Sequence, residues 1–78
     1  MIALTWVHSG TGVKLPIAEL AKVVAKANSG RGEADRAILI VDGVHGFGNQ
    51  RERVAELGCD IFMAGCHKWI LGPRGTGI

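Results

Sequence analysis

Three short apolar runs, each closed by a polar loop that carries glycine, restrict what this chain can fold into. They cover residues 2–7, 37–41 and 61–64. Runs of four to eight apolar residues bounded by glycine read as buried strands. Between the first two lies a helical pattern. Leu15-Pro16 opens it, with Pro16 in the first turn, where the missing N–H costs nothing. Ile17, Leu20, Ala21, Val24 and Ala27 recur at helical spacing, while Glu19, Lys22 and Lys26 fall on the other face. Asn28-Ser29-Gly30 ends the helix, with Gly30 as its left-handed cap. Strand, helix, strand is a βαβ unit, which predicts parallel strands joined by a right-handed crossover.

The remaining segments read as connections. Residues 31–36 form a charged, solvated loop. Residues 50–57 are predicted to make one or two helical turns, ended by Gly58. The glycine-rich stretch 72–77 is a tight turn whose positions tolerate positive φ, and a further strand is expected to start near Ile78.

Composition narrows the classes of function. A chain of 78 residues makes one small domain at most, and about 60% of the unfolded surface is buried at that size. A net charge of +2, with both signs mixed along the chain, provides no basic stripe for nucleic acid. No run approaches the ~20 apolar residues of a membrane span, and the N-terminus lacks the pattern of a signal peptide. Cys59 and Cys66 flank one apolar strand and do not read as a disulfide framework; reduced thiols in a cytoplasmic protein are expected. An apolar fraction of 47% with 12 glycines suits an α/β protein with tight loops. A metal module built from His8, His45, Cys59, Cys66 and His67 lacks any CxxC pair or His-x3-His spacing. Residues 9–14 look superficially like a phosphate loop, but no Ser or Thr follows Lys14.

Chemistry-bearing residues gather where strands end. The run Ile61-Phe62-Met63-Ala64 leads into Gly65-Cys66-His67-Lys68-Trp69. Burying an ammonium disfavours its charged form, which frees the amine as a nucleophile. The plainer reading is a surface lysine at a strand-to-loop turn. The run 37–41 ends in Asp42-Gly43-Val44-His45-Gly46-Phe47-Gly48. In open α/β sheets, ligands bind at the carboxyl ends of parallel strands, so Asp42, His45, His67 and Lys68 suggest one site. Taken alone, Asp42 also suits a cap at a strand end, and His45 a loop histidine satisfied by its neighbours.

The order Asp-x-x-His, Gly-Cys-Asp, apolar strand, His-Lys-Trp and Gly-Pro-x-Gly-x-Gly resembles the class V aminotransferase family. These are pyridoxal 5′-phosphate (PLP) enzymes of fold type I. The His-Lys-Trp form and His45 resemble the isopenicillin N epimerase-like branch more than the cysteine desulfurases. The resemblance covers the whole chain but only a middle slice of a much longer family chain. It implies that residues 1–78 are part of the PLP-binding large domain, an α/β three-layer sandwich with a mostly parallel sheet and flanking helices. It implies that Lys68 is the Schiff-base lysine and acid/base, and that Asp42 is the anion beside the pyridine nitrogen. His45 would donate to the ring's phenolic oxygen and His67 would contact the phosphate. Ser9 is brought near the same phenolic oxygen, although a turn hydroxyl bonded to its own backbone explains it as well. The chain departs from the desulfurase-like pattern at Gly65, where that pattern has Ser, so backbone N–H groups take part of the phosphate contact. Trp69 is expected to pack beneath the lysine, and Arg74 belongs to the turn or a subunit contact. The implied substrate is an amino acid or amine, and the implied assembly is a homodimer. Epimerisation, transamination, desulfuration and C–S lysis share these residues. The alternative is a remnant of such an enzyme without a working site.

Overall fold

A computed structural model describes residues 1–78. Three strands, β1 (Ile2–Thr5), β2 (Leu39–Asp42) and β3 (Ile61–Met63), form one parallel sheet in the order β1-β2-β3. The helix α1 (Ile17–Asn28) connects β1 to β2. The expected α/β architecture with a parallel sheet is therefore present.

Register decides which side chains share a face. Thr5, Asp42 and Met63 are aligned across the sheet, as are Ala3, Ile40 and Ile61. Side chains alternate along a strand, so Leu39 and Val41 point the other way. That second face is the covered one. Leu39 and Val41 are buried against Ile17 and Ala21 of α1, with Trp6, Val7 and Leu57 completing the core. The face bearing Asp42 has no helix of this chain upon it, and Ile61 and Met63 on it are each 48% exposed. Residues 1–78 thus supply the sheet and one helical layer.

The helix ends as its sequence dictates. Ser29 N–H donates to the Ala25 and Lys26 carbonyls, and Gly30 follows at φ 84°. Asn28 then ties the crossover to the sheet: its Nδ2 donates to the Ala37 carbonyl at 2.9 Å, and its Oδ1 accepts from Ala37 N–H at 2.7 Å. At the start of β3, Asp60 Oδ2 accepts from Leu39 N–H at 2.8 Å, and its other oxygen pairs with Arg36. These two contacts hold the Asp60 carboxyl below the usual carboxylate range, the Leu39 N–H contributing most.

Two expectations are adjusted. Trp6 and Val7 lie beyond β1: Trp6 N–H donates to the Asp42 carbonyl, and Val7 bridges antiparallel to Lys14. Residues 50–57 hold a single 3-10 turn, Val54–Glu56, because Arg53 has an extended backbone that stops any longer helix. Near Ile78 the chain does return to the sheet. Ile78 and Ala64 exchange both backbone hydrogen bonds at 3.0 Å, and Gly77 bridges antiparallel to Gly65.

Candidate functional site

Asp42 is the last residue of β2 and is pinned on both sides. Its carbonyl accepts from Trp6 N–H at 2.9 Å, and the next amide, Gly43 N–H, donates to the Met63 carbonyl at 2.8 Å. Its side chain is half-buried, and Oδ1 accepts from Val44 N–H at 3.0 Å, closing a local turn. Oδ2 has no partner within the chain. The carboxylate lines a shallow cleft of about 250 Å³ with Met63, Ala64, Gly65 and Ile78.

The loop after Asp42 is shaped by aromatic rings. Phe62 stands edge-on to both Trp6 and Phe47, with centroids 6.2 and 5.9 Å apart. A Cβ on Gly43 would lie 2.1 Å from the Phe62 ring, and one on Gly46 2.2 Å from the Trp6 ring. Only glycine lets the backbone lie against those rings, and this close passage sets where the intervening His45 sits. Gly48, at φ 80°, would place a Cβ 2.6 Å from Ile70 Cδ1. The His45 loop and the Lys68 turn are therefore in direct contact.

Past β3 the chain makes that turn. Gly72 N–H donates to the Cys66 carbonyl at 2.8 Å, Leu71 N–H to the Lys68 carbonyl at 3.2 Å, and Leu71 sits at φ 59°. The left-handed region disfavours a branched side chain, so backbone strain is concentrated three residues after Lys68. The His67 imidazole folds over Gly65, whose added Cβ would lie 2.9 Å from His67 Cε1. The glycine in place of serine thus makes room for the imidazole.

His45, His67, Lys68, Trp69 and Leu71 line one open cleft of about 440 Å³. Asp42 lies in the neighbouring cleft, whose wall includes Gly65. Ser9 shares a third, with His45 and Trp69. Lys68 is exposed, as the plainer reading of a surface lysine has it, so residues 1–78 do not supply its desolvation. Trp69, expected to pack beneath the lysine, is 52% exposed. Apolar neighbours in sequence become exposed here because the turn projects past the sheet edge, where nothing of the chain covers it.

Both cysteines are unpaired, and burial pushes the Cys59 thiol up, away from reactivity. No cluster of three or more His, Cys, Asp or Glu side chains is arranged to share one metal ion. No helix is long and apolar enough to cross a membrane. His8, named above only as a candidate metal ligand, and Gln50, which no spacing marked, join His45 and Ser9 around the third cleft. The sequence reading missed why Gly43 and Gly46 are glycine, which the flanking aromatic residues hinted at.

An acid, two imidazoles and a primary amine thus stand at the carboxyl end of a parallel sheet. Comparison with known proteins places the chain in a family. The family model described as aminotransferase class-V matches residues 1–78. Isopenicillin N epimerase of Streptomyces clavuligerus is 34% identical over 72 residues, covering 92% of this chain and 16% of that protein. A probable hercynylcysteine sulfoxide lyase of Mycobacterium tuberculosis is 32% identical, and a probable cysteine desulfurase of Halalkalibacterium halodurans 31%. Each match covers 100% of this chain and 17% of the relative. The chain therefore spans about a sixth of the length of these relatives. With a family match over every residue, this chain belongs to the class V aminotransferase family.

Proposed function

We propose that residues 1–78 are the cofactor-holding centre of a PLP-dependent enzyme that acts on an amino acid or amine. The observation that carries this reading is the packing of the His45 loop on the Lys68 turn, through Gly48 and Ile70, at the carboxyl end of the sheet. That packing makes a cleft lined by His45, His67 and Lys68. Its volume, about 440 Å³, lies within the range of about 300–1,000 Å³ common for small-ligand sites.

The donor set suits PLP. Asp42 has an oxygen without a partner in the chain and a position fixed by three backbone contacts. A carboxylate there keeps a ring nitrogen protonated. When bound, the cofactor supplies an electron sink for charge developing at the substrate's α-carbon. Lys68 Nζ would hold the cofactor's aldehyde and move a proton at that carbon, His45 would donate to its phenolic oxygen, and His67, lying over Gly65, would bind its phosphate. Lys68 is exposed in this chain, and closure over it comes from the bound ligand and a second subunit. The exposed apolar run Trp69, Ile70 and Leu71 beside it supports a homodimer. The relatives' named chemistries, an epimerase, a sulfoxide lyase and a desulfurase, all fit this residue set.

The test is covalent. The full-length protein is incubated with PLP, reduced with borohydride and digested. The phosphopyridoxyl mass is expected on the peptide carrying Lys68, and its loss in Lys68→Ala. Equal labelling of Lys14 or Lys22, or labelling that survives Lys68→Ala, rules the reading out.

A further inference from the structure

Asp42 carries a second chemistry that its place in the site does not use. Of the three aspartates only Asp42 precedes glycine; Asp35 precedes Arg36 and Asp60 precedes Ile61. An Asp-Gly bond is the aspartyl bond most open to cyclisation. Glycine puts no side chain in front of its own amide nitrogen and permits backbone angles that other residues resist. In that reaction the Gly43 nitrogen attacks Cγ of the Asp42 side chain. The new N–Cγ bond closes a five-membered succinimide, and the amide hydrogen leaves with a carboxyl oxygen as water. Water then adds to one of the two ring carbonyls. Opening at Cγ restores aspartate, whereas opening at the main-chain carbonyl routes the backbone through Cγ and gives isoaspartate. One water is released and one consumed.

The fold both keeps this liability and guards it. A side chain at residue 43 would shield the nitrogen, but its Cβ would lie 2.1 Å from the Phe62 ring. Protection comes instead from hydrogen bonds. Gly43 is buried, and its N–H donates to the Met63 carbonyl at 2.8 Å. Asp42 Oδ1 accepts from Val44 N–H at 3.0 Å. Cyclisation needs the Gly43 proton released and the carboxyl turned onto the nitrogen, so both contacts must break first. The contact to Met63 belongs to the weaker strand. β3 is three residues long, and its Ile61 and Met63 are each 48% exposed. Local opening is easiest where few apolar contacts resist it.

We propose that Asp42-Gly43 is a site of spontaneous isoaspartate formation, gated by separation of β3 from β2. The product inserts a methylene into the main chain and leaves the acid attached directly to Cα. The Gly43 N–H then loses its register with Met63, and the sheet's end loses its fixed carboxylate. This chemistry needs no cofactor and stands whether or not the chain binds PLP.

The full-length protein is aged near neutral pH in heavy-oxygen water, folded and in urea, beside a synthetic peptide of residues 37–47. Digests are read for heavy oxygen gained at residue 42 and for the fragment ions diagnostic of isoaspartate. Conversion is expected at Asp42 and not at Asp35 or Asp60. In urea it should match the peptide, and in the folded protein it should be slower by about tenfold or more. Phe62→Ala, which removes the ring packed over Gly43, should raise the folded rate several-fold. Gly43→Ala should suppress the product even in urea. If Phe62→Ala fails to fold, urea below the unfolding transition replaces it: the rate in the parent protein should rise in step with hydrogen exchange at Gly43 N–H. A folded protein that converts as fast as the peptide overturns the gate, as does a rate that ignores Gly43 exchange. No conversion at residue 42 in urea while the peptide converts, or equal conversion at Asp35 and Asp60, overturns the site.

Discussion

The loop that carries Asp42 and His45 and the turn that carries His67 and Lys68 sit side by side, yet they are built in opposite ways. The first is held from within. Its glycines lie against the rings of Phe62 and Trp6, and Trp6 is 1% exposed. The second runs over open surface: residues 67–71 are all exposed, Leu71 at 88% and in a left-handed conformation. A site with one rigid wall and one uncovered wall can keep its anion in place while its amine remains reachable. Close packing gives precision to the first, and the absence of packing leaves the second free to engage a ligand.

Substitutions in the rigid loop or in the rings it lies against should therefore cost much, and those in the open turn little. Trp6→Ala is expected to have the largest effect, about 3–5 kcal/mol, as is usual for a buried aromatic residue cut back to alanine. Urea unfolding of the protein measures it, and a loss below 1 kcal/mol breaks the contrast. Gly46→Ala comes next, at about 1–3 kcal/mol, because its Cβ has no room beside a ring that cannot move away. The same denaturation series checks it, and a neutral result means the loop slides off Trp6.

Asp60→Asn sharpens the comparison through pH. Asp60 anchors the start of β3 and titrates below the ordinary carboxylate range. A depressed folded value means its stabilisation is full above the unfolded value, near about 4, and is lost as pH falls through the lower folded value. The variant should unfold at lower urea than the parent at pH 7, and the two midpoints should converge as the pH falls below the ordinary carboxylate range. A gap that stays constant between those conditions counts against the Leu39 and Arg36 contacts as its source. The smallest effect belongs to the open turn. Lys68→Ala should change stability by no more than about 0.5 kcal/mol, as at other exposed sites, while abolishing borohydride labelling. A large stability loss would show that the lysine is part of the packing.

Much of the framework was legible in the residues. The three apolar runs coincide with the three strands to within two residues at each end, and the helix follows the spacing of Ile17, Leu20, Ala21 and Val24. Gly30 takes the positive φ expected of a helix cap. The segment 50–57 makes one short turn, the lower end of the one or two expected, because Arg53 is extended. Asp42 and His45 could be placed at a strand end from sequence, because apolar runs and glycine punctuate the chain locally. The exposure of Lys68 and Trp69 could not, since burial depends on what lies opposite a residue in space.

The sequence by itself therefore determined the elements, their parallel order and the family, because periodicity, glycine positions and motif spacing are properties of neighbours along the chain. Only the tertiary structure decided that the Asp42 face of the sheet is bare and that His8 shares a cleft with His45. Those outcomes depend on strand register and on loops meeting across the sheet's end. Such contacts join residues dozens of positions apart, and no local pattern encodes them.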